Sequence, residues 1–412
     1  MTKALDVYLH DNLVGKLAQD KHGQMAFIYD EGWLSNPTAK PLSQSLALQK
    51  ESFRQKQCRG YFAGILPEES NRNIIAKNLG ISARNDFAML ARIGGECVGA
   101  VTFIPAGEQL RNHLGEYEQL TDQKLANIIK ELPVRPLMAG EDGIRLSLAG
   151  AQDKIAVYIE NGKTFKPLYG ALSTHIIKPA NQRFKGLIFN EYICLKLSSI
   201  VGLPTAKAEI ASVEGMDYLL IERFDRRVDK NDKKVRLHQE DFCQALGIVS
   251  EMKHEAEGGP TLKACFSLLR KISSRPVVDL QHLLDAVIFN FLVGNNDAHG
   301  KNFSILYNDQ LGVGLTPLYD ILSTAFYSEL SSTMAMKIGG EYIADKVLPK
   351  HFEKLAEDAE LAIPRVKERV IELTNKVLTN LEKIDLDNPI VQEIIALIKT
   401  RCERTLSLFA IK

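Results

Sequence analysis

Residues 293–306 read VGNNDAHGKNFSIL and place polar, turn-forming residues between two apolar segments. The preceding segment, residues 276–294, has apolar residues at the spacing of an amphipathic helix. The following segment, residues 304–321, reads SILYNDQLGVGLTPLYDI, and its turn residues predict a hairpin. The sequence therefore predicts a loop at the end of a helix that carries Asp297 and Asn302, five residues apart.

An Asp, an Asn five residues later and a second Asp after a hairpin form the order of residues used in phosphoryl transfer. Asp297 would accept the proton of the attacking hydroxyl, and the oxygens of Asn302 and Asp320 suit Mg²⁺. The alternative is an Asn- and Gly-rich turn that only caps two elements. If this pattern stood alone, the capping turn would be the favoured interpretation. The segments upstream change the preference to a catalytic loop.

Two upstream segments supply groups that a nucleotide needs. RLSLAGAQDKIAVYI (145–159) contains a small-residue turn whose backbone N–H groups could hold phosphates, with Lys154 nearby; the alternative is an ordinary turn into a strand. THIIK (174–178) ends on Lys178, and Glu191 opens the next predicted helix. A strand Lys braced by a helix carboxylate is typical of kinases, whereas the alternative is a surface ion pair.

YLLIERFDRR (218–227) is an apolar strand that runs into Glu222, Phe224 and Asp225. It fits a hinge whose backbone binds adenine, with Phe224 against the base and Asp225 near the ribose. The alternative is a strand end with solvated charges. The chain therefore contains, in order, a phosphate loop, a strand Lys, a helix Glu, a hinge, a catalytic Asp and two metal ligands, and this order is stronger evidence than any one segment.

The segment patterns predict an α+β, two-lobed kinase-like fold with three parts. These are a small α/β N-terminal subdomain (1–110), a β-rich lobe with period-two patterning (140–228) and an all-α lobe (236–412). A polar stretch at 106–121 is a candidate linker. One helix, at 189–202, is expected to interrupt the strands of the β-rich lobe.

Composition excludes several classes of protein. Lys plus Arg and Asp plus Glu both number 51, so no net charge favours independent binding to nucleic acid. Motifs typical of P-loop NTPases, zinc proteases, serine hydrolases and dinucleotide-binding enzymes are absent. The six cysteines are scattered, which predicts buried thiols in a reducing compartment. Neither a signal peptide nor a membrane span is evident, so we expect a cytoplasmic protein that does not bind membranes.

The sequence resembles the HipA family of serine/threonine kinase toxins over nearly its whole length. The resemblance rests on EGWLSNPTAKPLSQSLALQ (31–49), IGGECVGAVTFIP (93–105), RLSLAGAQDK (145–154), THIIKP (174–179), NEYICL (190–195), ERFDRR (222–227), QEDFCQALG (239–247), EGGP (257–260), NNDAHGKNFS (295–304) and TPLYDI (316–321). That many matches in one order are specific to the family.

The resemblance implies a small N-terminal subdomain packed on a two-lobed kinase related to phosphoinositide kinases, with ATP and Mg²⁺ as cofactors. It implies Asp297 as the base, Asn302 and Asp320 as metal ligands, and Ser147 as a regulatory autophosphorylation site. The implied nucleotide-binding residues are Ala149, Gly150, Ala151, Gln152, Asp153, Lys154, Lys178, Glu222, Arg223, Phe224, Asp225, Gln239, His299, Gly300, Lys301, Asn302, Tyr319 and Asp320. Asp153 replaces the usual Glu, and Asn296 the common Thr, and neither change removes a required group.

The resemblance also implies biological partners. The chain would be the toxin of a toxin–antitoxin pair, with a HipB-like helix-turn-helix antitoxin and with operator DNA reached through or alongside it. Its substrate would be an aminoacyl-tRNA synthetase, such as glutamyl-tRNA synthetase, whose phosphorylation causes growth arrest and persistence. Two alternatives stay open: an inactive partner that acts mainly as corepressor, and a small-molecule kinase of the aminoglycoside or choline type.

Overall fold

The computed structural model describes residues 3–108, 116–181, 183–384 and 386–410. The chain divides into two compact units, and neither is continuous in sequence. The first unit contains residues 1–179 and 211–251, and the second contains 180–210 and 252–412.

The first unit begins with an antiparallel sheet whose strand order is β4-β3-β2-β1-β5. Its strands are β1 (Lys3–Leu9), β2 (Asn12–Gln19), β3 (Met25–Tyr29), β4 (Phe53–Arg54) and β5 (Val101–Pro105). Four helices accompany it: α1 (Glu31–Leu34), α2 (Gln55–Gly64), α3 (Glu69–Asn78) and α4 (Asp86–Ile93). Side chains alternate on β3, where Phe27 is buried and Ile28 is exposed, so one face of the sheet forms a core. Residues 3–105 therefore have a mixed α/β structure within the first unit, and their role as a separate subdomain stays a prediction.

A second sheet follows in the same unit, with strand order β10-β11-β9-β7-β8-β6. Its strands are β6 (Glu116–Gln119), β7 (Ile155–Glu160), β8 (Lys163–Leu168), β9 (His175–Pro179), β10 (Ala208–Val213) and β11 (Met216–Glu222). Of β10, residues 211–213 belong to this unit. The turn after β7 has positive φ at Asn161 and Gly162, and the turn after β10 has positive φ at Glu214 and Gly215. Both are therefore the predicted hairpin turns, because positive φ at the two central residues matches the twist of paired strands.

The stretch 106–121, which we predicted to be a linker, contains a β-strand. β6 lies within it and pairs with β8, because its backbone completes an edge of the sheet; residues 109–115 lie outside the described residues. The remaining elements of the unit are α5 (Asp122–Glu131), β12 (Arg226–Val228), β13 (Lys234–Arg236), β14 (His238–Asp241) and α7 (Phe242–Ala245).

The second unit is mainly helical. Its helices are α6 (Leu187–Ile200), α8 (Leu262–Ile272), α9 (Pro276–Val293), α10 (Pro349–Asp358), α11 (Ile363–Asn380) and α12 (Pro389–Ala410). Its strands are β15 (Ser304–Asn308), β16 (Gly312–Leu315), β17 (Thr333–Ile338) and β18 (Glu341–Ile343). β15 and β16 form the predicted hairpin. The C-terminal region is therefore not all-α as predicted, because β17 and β18 form a second hairpin around Gly339-Gly340.

Helix α9 is the centre of this unit and packs against α8, α11 and α12. The predicted apolar stripe is buried, and so is the opposite face, including Ala286, Phe289 and Leu292. Among the described residues it is the one helix long and apolar enough to cross a membrane, with 72% of it buried inside the structure. Such burial is typical of a core helix. The six thiols predicted to be buried are all buried and free.

Candidate active site

The loop that carries Asp297 starts where α9 ends. Gly294 adopts a left-handed conformation, with φ 77°, and its N–H bonds to the carbonyls of Asn290 and Phe291. A Cβ at this position would lie 2.9 Å from Cβ of Ala325, and the backbone conformation alone favours glycine. The helix therefore ends here, and the chain turns into the loop at a defined position.

Asn295 and Asn296 brace this loop rather than face solvent. Asn295 donates from Nδ2 to Oδ1 of Asn290 at 2.7 Å. The Asn296 N–H donates to Oγ1 of Thr324 at 2.7 Å, and its carbonyl accepts from the Ala335 N–H at 2.7 Å. Both side chains are buried. The capping interpretation of this Asn-rich turn thus applies to these two residues, and it leaves Asp297 available for chemistry.

The Asp297 side chain remains 57% exposed. Its Oδ1 lies 3.1 Å from Nε2 of His254, and its backbone N–H donates to Asn295. Burial acts to raise the pKa of Asp297, but the hydrogen bond from His254 and the nearby positive charges of His299 and Lys253 outweigh it and lower the pKa. The carboxylate is therefore ionised at neutral pH, which is the form that accepts a proton.

Asn302 and Asp320 lie together, although eighteen residues separate them. Asn302 donates from Nδ2 to Oδ2 of Asp320 at 3.2 Å, and its Oδ1 accepts from the His299 N–H at 3.1 Å. Asp320 has φ 57°, a left-handed conformation that is uncommon outside glycine. These contacts hold the Asn302 amide beside the Asp320 carboxylate, with Nδ2 facing the carboxylate and Oδ1 bound to the backbone. Amide and carboxylate oxygens are the donors that Mg²⁺ prefers, so binding of the ion here requires the amide to turn its oxygen toward Asp320.

Tyr319 and Lys301 join the loop to the β15–β16 hairpin. The Tyr319 hydroxyl bonds to the Lys301 carbonyl at 2.7 Å and to Oγ of Ser304 at 2.6 Å. Lys301 and the neighbouring Gly300 are both buried. These predicted nucleotide residues therefore help to place Asp320 relative to Asn302.

In the first unit, the predicted phosphate loop is anchored through its carbonyls. Lys154 donates from Nζ to the Ala149 carbonyl at 2.6 Å, and Asn71 donates from Nδ2 to the Ala151 carbonyl at 2.9 Å. Gly150 has φ 102°, and its carbonyl accepts from the Glu68 N–H at 3.3 Å. Burial raises the pKa of Asp153. These contacts fix the path of the loop through its carbonyl oxygens, and phosphate binding by its N–H groups stays a prediction.

Lys178 lies on β9, which is next to β11, the strand that leads into the predicted hinge. Lys178 on β9 pairs with Leu219 on β11, and Glu222 at the end of β11 pairs with His175. Lys178 is buried, with 5% of its surface exposed, so it is not a solvated surface cation. Glu191, on α6 in the second unit, is 1% exposed and is likewise not a surface charge.

Arg223 and Asp225 are committed to a buried ionic network. Arg223 donates from Nε and Nη2 to Asp225 at 3.0 and 2.8 Å, and the Gly99 N–H donates to the same carboxylate at 2.9 Å. Burial opposes the charge of Asp225, yet Arg223 and Arg226, with a hydrogen bond from Gln239, hold its pKa well below the usual range. These side chains therefore position the end of β11, and the carboxylate of Asp225 that was expected to contact ribose is already paired within the protein.

Glu96 is the anion at the centre of this network, and the motif order did not reveal it. It pairs with Arg226 at 2.6 Å, with Arg223 at 3.3 Å and with Arg236. Burial acts to raise its pKa, but the three guanidinium groups lower it. Its position in IGGECVGAVTFIP marked the family without indicating a partner.

His254 was also missed. It lies in KHEAEGGP, where its spacing of three from Glu257 is a weak signal, and no pattern in the sequence links it to Asp297. The contact exists because the turn before α8 and the loop after α9 are adjacent in the folded unit.

Comparison with known proteins supplies an independent result. The sequence model of the family called HipA N-terminal domain matches residues 5–104. The sequence model of the family called HipA-like C-terminal domain matches residues 146–382, which are more than half of the chain.

The chain belongs to the HipA family.

Relatives of this HipA-family chain agree with the assignment. The Sinorhizobium fredii protein Y4mE is 44% identical over 381 residues and covers 90% of both chains. The serine/threonine-protein kinase toxin HipA of Shewanella oneidensis is 30% identical over 430 residues, which cover 98% of this chain and 96% of the relative.

The fold comparison gives the same family. The structure of Shewanella oneidensis HipA with HipB and operator DNA matches with a TM-score of 0.86 and 26% identity over 98% of both chains. The fold is thus a mixed α+β kinase-like fold. The chain is a HipA-like serine/threonine protein kinase, and such an enzyme uses ATP as phosphoryl donor.

Proposed function

We propose that this HipA-like kinase is a toxin of a toxin–antitoxin system that phosphorylates a serine or threonine of a protein, with Asp297 as the catalytic base. The observation that carries the proposal is the geometry of the second unit. There an exposed Asp297 carboxylate follows a rigid turn, and Asn302 lies 3.2 Å from Asp320. Asp297 would orient and deprotonate the attacking hydroxyl, so that the nucleophile is formed at the moment of attack.

Asn302 and Asp320 are the proposed ligands of Mg²⁺, and the fit rests on the adjacency of their side chains, whose amide and carboxylate groups both carry oxygen donors. The ion, when bound, would neutralise charge on the transferring phosphate. The first unit would hold ATP: N–H groups of residues 149–154 would bind phosphates, Lys178 would pair with them, and Glu222 and Phe224 would contact the adenine. We keep 1–110, 140–228 and 236–412 as the proposed functional parts of the chain.

The activity is tested with Asp297→Asn, which keeps shape and removes the proton acceptor. We expect the rate of phosphate transfer from ATP to fall by about 10²–10⁴-fold, the usual contribution of a general base. Asp309→Asn, an exposed carboxylate at the tip of the β15–β16 turn, is the matched control and should retain full activity. Equal activity of Asp297→Asn and wild type would contradict the assignment.

Ser147 is the proposed autophosphorylation site, and its environment explains how modification would act. The residue has no exposed surface; Oγ donates to the Ile65 carbonyl at 2.9 Å, and its N–H donates to the Glu96 carbonyl at 2.8 Å. A kinase can reach this hydroxyl only after the segment opens. A phosphate of about −1.5 to −2 charge cannot return to a site lined by carbonyl oxygens, so the adjoining loop 149–154 would stay displaced.

After incubation with ATP and Mg²⁺, we expect one phosphate on the peptide that contains Ser147. Ser147→Asp should raise the KM for ATP about tenfold or more by the desolvation argument above, while Ser147→Ala should keep wild-type kinetics. Labelling confined to another peptide, or a Ser147→Asp enzyme with unchanged KM, would refute the proposed regulation.

For partners and substrate, we propose a HipB-like antitoxin, operator DNA bound through or alongside it, and an aminoacyl-tRNA synthetase as phosphoacceptor. The zero net charge of the chain supports the need for an antitoxin in DNA binding. Incubation with purified glutamyl-tRNA synthetase tests the substrate class first. The alternative, a corepressor without kinase activity, predicts that Asp297→Asn is as toxic to cells as wild type.

A further inference from the structure

His254, Asp297 and His299, which we call the His254 cluster, bring three potential metal ligands together in the second unit. One ligand atom from each residue lies within 4.8 Å of those of the other two. Nε2 of His254 is 3.1 Å from Oδ1 of Asp297, and the centroids of the two imidazole rings are 5.4 Å apart. The cluster shares no residue with the proposed magnesium ligands Asn302 and Asp320.

The ligand types favour a transition metal over Mg²⁺. Two imidazole nitrogens and one carboxylate suit Zn²⁺, whereas Mg²⁺ prefers oxygen ligands. Two ligand atoms bound to one tetrahedral Zn²⁺ lie about 3.3–3.6 Å apart, given bonds of about 2.0–2.2 Å. The spacing of His254 and Asp297 therefore already fits, and the remaining separations must shorten by about 1.5 Å at most, which side-chain rotation can supply.

Glu257 provides a second observation that points to a metal. Its Oε2 lies 3.3 Å from Nδ1 of His254, the ring nitrogen that faces away from Asp297. A carboxylate on the distal nitrogen is the usual partner of a metal-binding histidine, because it fixes the tautomer and directs the other nitrogen at the ion.

The cluster is open to an ion from solvent. The side chains of His254 and Asp297 are 33% and 57% exposed, while His299 is buried. Lys253, which acts electrostatically on Asp297, opposes the approach of a cation. We therefore expect reversible binding rather than a permanent structural site.

We propose that the His254 cluster is a Zn²⁺ site whose occupation inhibits the kinase. An Asp297 carboxylate that coordinates Zn²⁺ cannot accept the proton of a substrate hydroxyl, so phosphoryl transfer would stop while the ion is bound. The inhibition rests on the function proposed above, whereas the binding of the metal does not.

Binding is measured on the full-length protein without ATP. We expect one Zn²⁺ by isothermal titration that His254→Gln weakens at least tenfold, and Co²⁺ should show a visible absorption band that the same variant loses. Glu257→Gln, at an exposed position that does not threaten folding, should weaken binding about tenfold, because His254 loses the carboxylate that orients its ring. His22→Gln, an exposed histidine in the first unit, is the control and should bind like wild type.

Inhibition is measured separately, at saturating ATP and excess Mg²⁺. Zn²⁺ should inhibit wild type and His22→Gln, a zinc-selective chelator should restore activity, and His254→Gln should need at least tenfold more Zn²⁺ relative to its own zinc-free rate. Absence of binding, or binding that neither His254→Gln nor Glu257→Gln weakens, would overturn the site. Binding that depends on His254 in a protein without any zinc-free kinase activity would instead refute the proposed function and leave the metal site standing.

Discussion

Glu96 belongs to no recognised nucleotide-binding motif, yet it organises the buried charges around Asp225. Its side chain is 3% exposed and meets three guanidinium groups, two of which also contact Asp225. Removing one partner of a buried ion pair leaves the other charge buried without compensation. The resulting loss of folding stability is larger than the stability that the intact pair contributes. The network links the segment between α4 and β5 to the end of β11, which is the segment predicted to form the hinge.

We expect Glu96→Gln to reduce the free energy of unfolding by about 3–5 kcal/mol, since it removes one of the two carboxylates that offset three guanidinium groups and leaves Asp225 as the remaining anion of Arg223 and Arg226. The folded fraction should also show a higher KM for ATP, because the end of β11 loses its anchor, with a smaller effect on kcat. Urea unfolding and steady-state kinetics measure the two effects. Glu131→Gln, which removes an exposed carboxylate paired with the exposed Arg135, should change neither.

At the scale of elements, α9 and α11 are joined by a bidentate ion pair. Arg369 on α11 contacts both oxygens of Asp285 on α9 at 2.6 and 2.7 Å, and Gln281 donates to the same carboxylate. The Asp285 side chain is only 3% exposed. Because α9 leads directly into the loop of Asp297, this pair stabilises the element on which the proposed base depends.

Arg369→Ala should lower the free energy of unfolding by about 3 kcal/mol, because Asp285 is left buried without its cation. A urea titration followed by circular dichroism measures the change. Arg365→Ala supplies the matched control on the same helix, since its pair with Glu368 is exposed on both sides and should contribute nothing measurable. If the two variants unfolded at similar urea concentrations, the stabilising role of the buried Arg369–Asp285 pair would be contradicted.

At the scale of the whole molecule, the pH dependence of stability comes from groups whose pKa differs between the folded and the unfolded chain. His238 is one: burial lowers its pKa from 6.5 to about 4, and its Nε2 lies 2.9 Å from the Leu42 carbonyl. The unfolded chain binds a proton at this residue below about pH 6.5, whereas the folded chain does not until about pH 4. The folded state therefore loses stability as pH falls through this window, by about 1.4 kcal/mol for each pH unit between the two pKa values.

We expect His238→Gln to reduce the slope of unfolding free energy against pH between 4 and 6.5, and to leave the slope above pH 7 unchanged. Urea titrations at several pH values give both slopes. A slope identical to that of wild type across the acidic window would show that other groups control acid stability.

The amino-acid sequence alone was enough to establish the family, the α+β class and most elements, because these follow from local patterns. The hairpin turn at Asn161-Gly162, helix α9 with its cap at Gly294 and the loop after it depend on residues close in the chain. The order of the motifs could also be read without coordinates. Where the local signal was weak, as at β6, β17 and β18, the prediction of a linker and of an all-α lobe failed.

Which side chains meet became known only from the folded chain. The contacts of His254 with Asp297, of Asn302 with Asp320 and of Glu96 with three arginines join residues that are 18 to 140 positions apart. Such contacts arise from the packing of whole elements, for which a single sequence carries no periodic signal. The physical reason is that backbone propensity acts over a few residues, whereas burial and charge pairing act between any residues that the fold brings together.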